Sequence, residues 1–304
     1  MTVRTIGFVG IGRMGSRMVP HIASAGFPVH IYDLDAEAAR ETARAHNNVV
    51  VEESARAVAA AADAVITMLP AGPDVREAAL GKSGLAEGFS KGDVLVDMSS
   101  SQPWLTVELA AELKARGIEM IDSPVSGGIE GAEAGTLTLM VGGEDAVVER
   151  CLPALETMSG HVFRTGKVGS GHATKTLNNL LSGLNAMAAA EAFLIGTRFG
   201  LDPAVMADVI NESTGMNSAT RRTIKQQVLT REFGGGFAWD LKFKDYTIAM
   251  ELARRTRTPA PLSGMAFQLN EAAQIWMGDT NGKTSVEIFR WMEHLAGSEI
   301  RKKD

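Results

Sequence analysis

Lys175, Asn178 and Asn179 follow closely on the glycine pair Gly169 and Gly171. Residues three and four apart share one face of a helix, so a cation and two amides would point into the same space. A lysine held away from water has its pKa lowered and can take or give a proton. Such a group can accept the proton of an alcohol as hydride leaves its carbon, or stabilise the alkoxide when charged. His172 is the rival base. At the extreme start of the helix it is expected to face a cofactor or solvent.

The first 33 residues offer a hydride acceptor a place to bind. Gly10-Ile11-Gly12-Arg13-Met14-Gly15 directly follows the apolar run 5–9 and opens the helix-like stretch 14–25. Glycines at that spacing serve a tight turn, close approach to a pyrophosphate, and helix–strand packing, while the helix N-terminus offers its N–H groups to the phosphates. Asp33 ends the next strand-like run, 18 residues after Gly15. A carboxylate there accepts hydrogen bonds from the adenosine ribose and repels a 2′-phosphate, so NAD is expected over NADP, with Arg13 and Arg40 softening the preference. Leu69, Pro70 and Ser100 close two further strand-like runs, where open α/β sheets bind ligands, and are expected beside the nicotinamide. Ser126-Gly127-Gly128 offers a hydroxyl and two amides to a small carboxylate. Consecutive glycine amides form an anion-holding concavity when their dihedrals alternate in hand.

These residues need a scaffold, and the pattern of the chain supplies one. Strand-like runs at 5–9, 29–32, 49–51, 64–69, 94–97, 119–121, 137–141 and 162–164 alternate with helical stretches such as 103–116 and 145–158. Gly26 and Gly117 stand where helix C-caps belong. This alternation indicates an α/β domain, a doubly wound parallel sheet with helices on both faces. After Gly166 the pattern changes. Residues 171–199 form a proline-free run that Gly200 ends, roughly 40 Å long as a single helix. Beyond it only helical signals occur: Asp202-Pro203 as N-cap and first-turn proline, Pro259 and Pro261 as a break, and Thr284 as a cap for the last helix. The expected domains are 1–166, which would bind the dinucleotide, and 167–304, all-helical, for substrate and dimerisation.

Composition narrows the partners. Of 304 residues, 45% are hydrophobic and 22% charged, with a net charge of −6 and no basic run beyond Arg301-Lys302-Lys303. That argues against nucleic acid or an acidic membrane as the main partner. The apolar stretch 58–69 is short and contains Asp63, so no membrane span is expected. Cys151 is the only cysteine, which excludes intramolecular disulfides and points to a reducing, cytoplasmic location. The histidine spacing suggests no metal site.

Four ordered motifs carry a resemblance: Gly7-Phe-Val-Gly10-Ile-Gly12-Arg-Met-Gly15, Asp122-Ser-Pro-Val-Ser126-Gly-Gly128, Gly169-x-Gly171-x3-Lys175-x3-Asn179, and Phe243-Lys244-Asp245. Over nearly its whole length the chain resembles the β-hydroxyacid dehydrogenase family. The resemblance implies a Rossmann domain, a long interdomain helix and an all-α domain. It implies Lys175 as the catalytic acid/base, Ser126, Gly127, Gly128 and Asn179 (with Asn178 beside it) as substrate-binding residues, and Lys244 as a contact to cofactor and substrate. Asp33 stands where NADP-preferring relatives carry an Asn-Arg pair.

The activity expected is reversible NAD-dependent oxidation of a 3-hydroxyisobutyrate-like acid to its semialdehyde. The alternatives are reduction of tartronate semialdehyde, a 6-phosphogluconate dehydrogenase-like activity suggested by Gly171-His-x-x-Lys175, imine reduction, and a non-enzymatic NAD-binding module. Met187, Phe193, Met250, Trp276 and Trp291, with the long helix, point to a homodimer or homotetramer. The polar segment 213–218 is expected to face the substrate.

Overall fold

The computed structural model describes residues 2–301; Lys302 and Lys303 of the basic run lie outside them. The chain divides into two compact units, Met1–Lys175 and Thr176–Asp304.

Nine strands build the first unit among the described residues: β1 (Ile6–Val9), β2 (Val29–Tyr32), β3 (Val49–Val51), β4 (Ala64–Thr67), β5 (Val94–Asp97), β6 (Glu119–Asp122), β7 (Val125–Ser126), β8 (Leu137–Gly142) and β9 (Ser159–Gly166). They form one sheet in the order β3-β2-β1-β4-β5-β6-β8-β7, with β9 on β8. The first six are parallel, in register from Ile6 against both Val29 and Ala64 outward. The sheet is not parallel throughout. Strand β8 runs antiparallel to β6 and to the short β7, a strand hidden in the Ser-Pro-Val-Ser run.

The helices of this unit are α1 (Gly15–Ser24), α2 (Ala36–Ala43), α3 (Ala55–Ala61), α4 (Gly72–Leu80), α5 (Pro103–Lys114), α6 (Gly128–Ala134) and α7 (Asp145–Leu155). Strands β1, β4 and β5 are buried along their whole length because helices cover both faces. On one face Phe8, Ile31 and Ile66 meet Met18 and Ile22 of α1 and Val148 of α7. On the other, Val9, Val65 and Leu95 meet Val58 of α3, Val75 of α4 and Leu109 of α5.

Helix α8 (Ser170–Phe199) runs through the division between the units, and its first turns belong to the sheet unit. The second unit continues with α9 (Pro203–Asn211), a wide helical segment Ala219–Val228, α10 (Trp239–Arg255), α11 (Pro261–Met277) and α12 (Glu287–Ala296). Its core gathers Met187, Ala190 and Phe193 of α8 with Ile224, Trp239 and Phe289.

Asp202 caps α9 as its type demands, accepting the N–H of Ala204 at 2.7 Å and of Val205 at 3.3 Å ahead of Pro203. Thr284 does not cap α12. Its Oγ1 accepts from Val286 at 3.4 Å, in the turn before the helix starts. By length and composition alone α8 is apolar enough to cross a membrane, with a mean hydropathy of 1.3 in its most apolar window. The apolar stretch 58–69, by contrast, is split between the end of α3 and β4. The buried part of the apolar surface of α8 is the core face of the second unit.

Candidate active site

The strand order reverses at β1 and β4, and the glycine turn follows β1 at that point. Gly10 adopts φ +101° and its N–H donates to Tyr32 O at 3.1 Å, which folds the turn over the end of the sheet. A Cβ on Gly15 would collide with the Gly10 carbonyl oxygen, so only glycine lets α1 approach β1 this closely. A Cβ on Gly12 would meet nothing within 4 Å, so the open side of the turn is clear for a phosphate. Met14 precedes α1 without any side-chain cap, which leaves the helix N-terminus available to an anion.

Asp33, half-buried at the end of β2, accepts the Ile11 N–H at 2.5 Å with one carboxylate oxygen and the Asp35 N–H at 2.8 Å with the other. It therefore fixes the glycine turn. Arg13 is exposed, and Arg40 is turned onto Glu37 at 3.0 Å.

Asp97, buried at the end of β5, organises the next edge of this site. It accepts from Thr67 Oγ1 at 3.1 Å, Ser99 N–H at 3.0 Å and Ser101 Oγ at 2.7 Å, holding Ser100 in a tight turn. Ser99 Oγ in turn accepts the Leu69 N–H at 2.9 Å, which sets the Leu69-Pro70 backbone beside it. The structure thus brings together Gly10 to Gly15, Asp33, Leu69, Pro70 and Ser100 at the carboxyl ends of β1, β2, β4 and β5.

Ser126 ends β7, opposite Thr138. Gly127 and Gly128 have φ of +133° and +65°, the same hand. The expected alternation of dihedrals is absent, and Gly128 keeps its positive φ at the first position of α6. No atom lies within 4 Å of where a Gly128 Cβ would stand, so the loop leaves room for a small group.

The start of α8 is fixed by Asp122, a residue the sequence reading quoted only as part of a motif. One of its oxygens accepts the Gly169 N–H at 2.6 Å and the other the His172 N–H at 2.8 Å. Burial pushes the Asp122 carboxyl above its usual range, opposed by the nearby His172 and these two N–H groups. Gly171 is glycine because a side chain there would run into the Met140 carbonyl oxygen of β8. His172, expected to face a cofactor or solvent, is closed off from solvent. Its ring has no exposed surface, bonds Thr106 Oγ1 of α5 at 2.8 Å, and lies 3.1 Å from Ser99 O. Lys175, half-buried, stands one turn further along the helix that this clamp holds.

In the second unit Asn179 Nδ2 donates to Asp245 at 2.6 Å, whereas Asn178 is exposed and bonds only its neighbour Asn179, at 3.2 Å, among the contacts described. Asp245 is buried and its other oxygen lies 3.8 Å from the Lys244 ammonium. The sequence signal for Asp245 was its place directly after Lys244. No group of His, Cys, Asp and Glu among the described residues has the arrangement of a metal site.

A doubly wound sheet with a glycine turn and an acidic residue at its switch point, leading into a helix that carries a lysine, defines the class of nicotinamide-dependent dehydrogenases. Known proteins narrow it. Residues 5–166 match the NAD binding domain of 6-phosphogluconate dehydrogenase, and 169–288 match the NAD-binding domain of NADP-dependent 3-hydroxyisobutyrate dehydrogenase. The chain is 36% identical to 2-(hydroxymethyl)glutarate dehydrogenase of Eubacterium barkeri over 97% of both proteins. It is 36% identical to the mitochondrial 3-hydroxyisobutyrate dehydrogenase of Homo sapiens over 87% of this chain and 80% of that one. The solved 3-hydroxyisobutyrate dehydrogenase of Mycobacterium tuberculosis with L-serine superposes with a TM-score of 0.87 at 31% identity, over 96% of this chain and 99% of that one. The chain belongs to the β-hydroxyacid dehydrogenase family. It is an NAD-binding oxidoreductase acting on hydroxy acids.

Proposed function

We propose that the protein oxidises the primary alcohol of a short 3-hydroxy acid to the semialdehyde, reversibly, with NAD preferred over NADP and Lys175 as the general acid/base. The observation that carries this reading is the Asp122 clamp on Gly169 and His172, which fixes the helix turn from which Lys175 projects. When bound, the nicotinamide supplies the hydride acceptor. Lys175 Nζ takes the hydroxyl proton in oxidation and returns it in reduction. Ser126, Gly127 and Gly128 hold the substrate carboxylate, and Asn179, oriented by Asp245, donates to the substrate. Lys244 adds positive charge toward cofactor and substrate. Asp33 accepts from the ribose hydroxyls and disfavours a 2′-phosphate, and the Arg40–Glu37 pair removes one cation that would favour it.

Lys175→Ala tests the assignment. It is expected to lower kcat by about a hundredfold to ten-thousandfold while NAD binding, followed by nucleotide fluorescence, stays intact. A kcat close to that of the parent protein would overturn it.

We further propose a homodimer or homotetramer working in the cytoplasm on a small-molecule acid. Ile195, Phe199 and Ile275 expose 70%, 84% and 82% of their surface, apolar area that a second copy would cover. A single buried cysteine suits a reducing compartment. Light scattering showing a monomer would overturn the assembly.

A further inference from the structure

Helix α6 continues directly from the Ser126-Gly127-Gly128 loop and is only seven residues long, two of them glycine. Helices shorter than about 12–15 residues are marginal by themselves, so α6 depends on contacts from outside. Its entry is tied down by β7, where Ser126 stands opposite Thr138 of β8. At its exit the Gly131 carbonyl is taken by the N–H groups of Gly135 and Thr136. The next two carbonyls, of Ala132 and Glu133, need a donor from elsewhere.

His21 of α1 supplies that donor. Its Nε2 lies 2.9 Å from the Ala132 oxygen and 3.1 Å from the Glu133 oxygen, across 111 and 112 residues of chain. A carbonyl oxygen only accepts, so Nε2 carries the proton and one N–H is shared between the two oxygens. Gly135 makes this approach possible. It ends α6 at φ +66°, and a Cβ there would stand 2.9 Å from the His21 ring. The Arg17–Glu133 pair spans the same two helices at 3.9 Å, but both side chains are exposed and such pairs contribute little. Among the contacts described, the half-buried imidazole is the main polar link between α1 and α6.

We propose that His21 is a positioning residue for the substrate, bracing the carboxylate-binding loop against the helix that follows the cofactor turn. The inference rests on the assignment of Ser126, Gly127 and Gly128 to the substrate carboxylate. Helix α1 begins at Gly15, directly behind the glycine turn, and His21 lies in its last turn. Helix α6 begins at Gly128, the last residue of the loop. One hydrogen-bonded side chain thus ties the element that receives the dinucleotide to the element that receives the acid. Without it α6 and its loop can shift, while Met18 and Ile22 keep α1 packed on Phe8 of β1. A small shift of a positioning element misplaces the reacting atoms, so the loss falls on the acid and not on the nucleotide.

The test uses the full chain with NAD and 3-hydroxyisobutyrate, with NADH binding followed separately by nucleotide fluorescence. His21→Ala is expected to raise KM for the acid by about tenfold and to leave the NADH dissociation constant within about twofold. His21→Gln, whose terminal amide N–H stands near the place of Nε2, is expected to recover most of the loss. An unchanged KM, an equal loss of nucleotide affinity, or a glutamine variant as impaired as the alanine variant overturns the brace. The parent protein gives a readout that needs no variant: nitrogen-15 shifts of His21 at pH 8 are expected to show a proton on Nε2, and a bare Nε2 overturns the brace. A parent protein that binds NADH yet oxidises no short 3-hydroxy acid overturns the dehydrogenase reading, and with it the substrate role of His21. The other adverse outcomes overturn the brace alone.

Discussion

Asn179 and Asp245 stand 66 residues apart in the chain and share a hydrogen bond of 2.6 Å. Asp245 is only 2% exposed, and the bond fixes which way the Asn179 amide points. Asp245→Ala frees that amide. A hydrogen bond to a charged group contributes about 1.5–3 kcal/mol, so kcat/KM is expected to fall by about tenfold to a hundredfold. Asp245→Asn, which keeps an acceptor, should recover part of the loss. Equal kinetics for both variants would mean that the bond does not orient Asn179.

Both carboxylate oxygens of Asp33, the proposed ribose acceptor, hold backbone N–H groups, of Ile11 and of Asp35. Asp33→Ser is expected to weaken use of NAD by about tenfold or more and to raise the NADP-to-NAD ratio of kcat/KM. Steady-state kinetics with both cofactors read the result. An unchanged ratio would remove Asp33 from cofactor choice.

His172 is a positioning residue, joining α8 to Thr106 and to the turn that carries Ser100. His172→Gln should lower the melting temperature and reduce kcat moderately, since each buried partner left unpaired costs about 1–3 kcal/mol. The pH at which kcat/KM rises should stay in place. If that limb of the profile disappears, the proton acceptor is His172 rather than Lys175.

Cys151 is buried in α7, and burial raises its thiol from 9.0 to about 12. The folded chain thus favours the neutral thiol. The associated stability is fully present below pH 9.0 and is lost as the pH climbs toward about 12. Iodoacetamide at pH 8 is expected to spare the native protein and to label it once denaturant opens the first unit. Equal labelling rates in both states would contradict the buried, protonated thiol.

Much of this protein was legible in local sequence. The glycine turn, Asp33, the alternation of strands and helices and the long helix after Gly169 are set by spacing and backbone chemistry within a few dozen residues. Capping by Asp202 was equally local. Thr284 misled because a cap is decided by where the helix begins, and its first turn starts only at Glu287.

Other features depend on chain segments that meet only in the folded state. A histidine in a helix's first turn reads as exposed until Thr106 and Asp122, 66 and 50 residues away, close over it. The antiparallel β8 and the hidden β7 arise because the chain turns back across the sheet edge after β6, which no periodicity records. Asp245 looked like an appendage to Lys244 until the packing of α8 against α10 gave it Asn179. The sequence alone determined most of the elements, the motifs and the family, because these follow from local periodicity and residue type. Only the tertiary structure decided which side chains are buried and which carboxylate orients which amide, because burial and pairing are made by residues far apart in the chain.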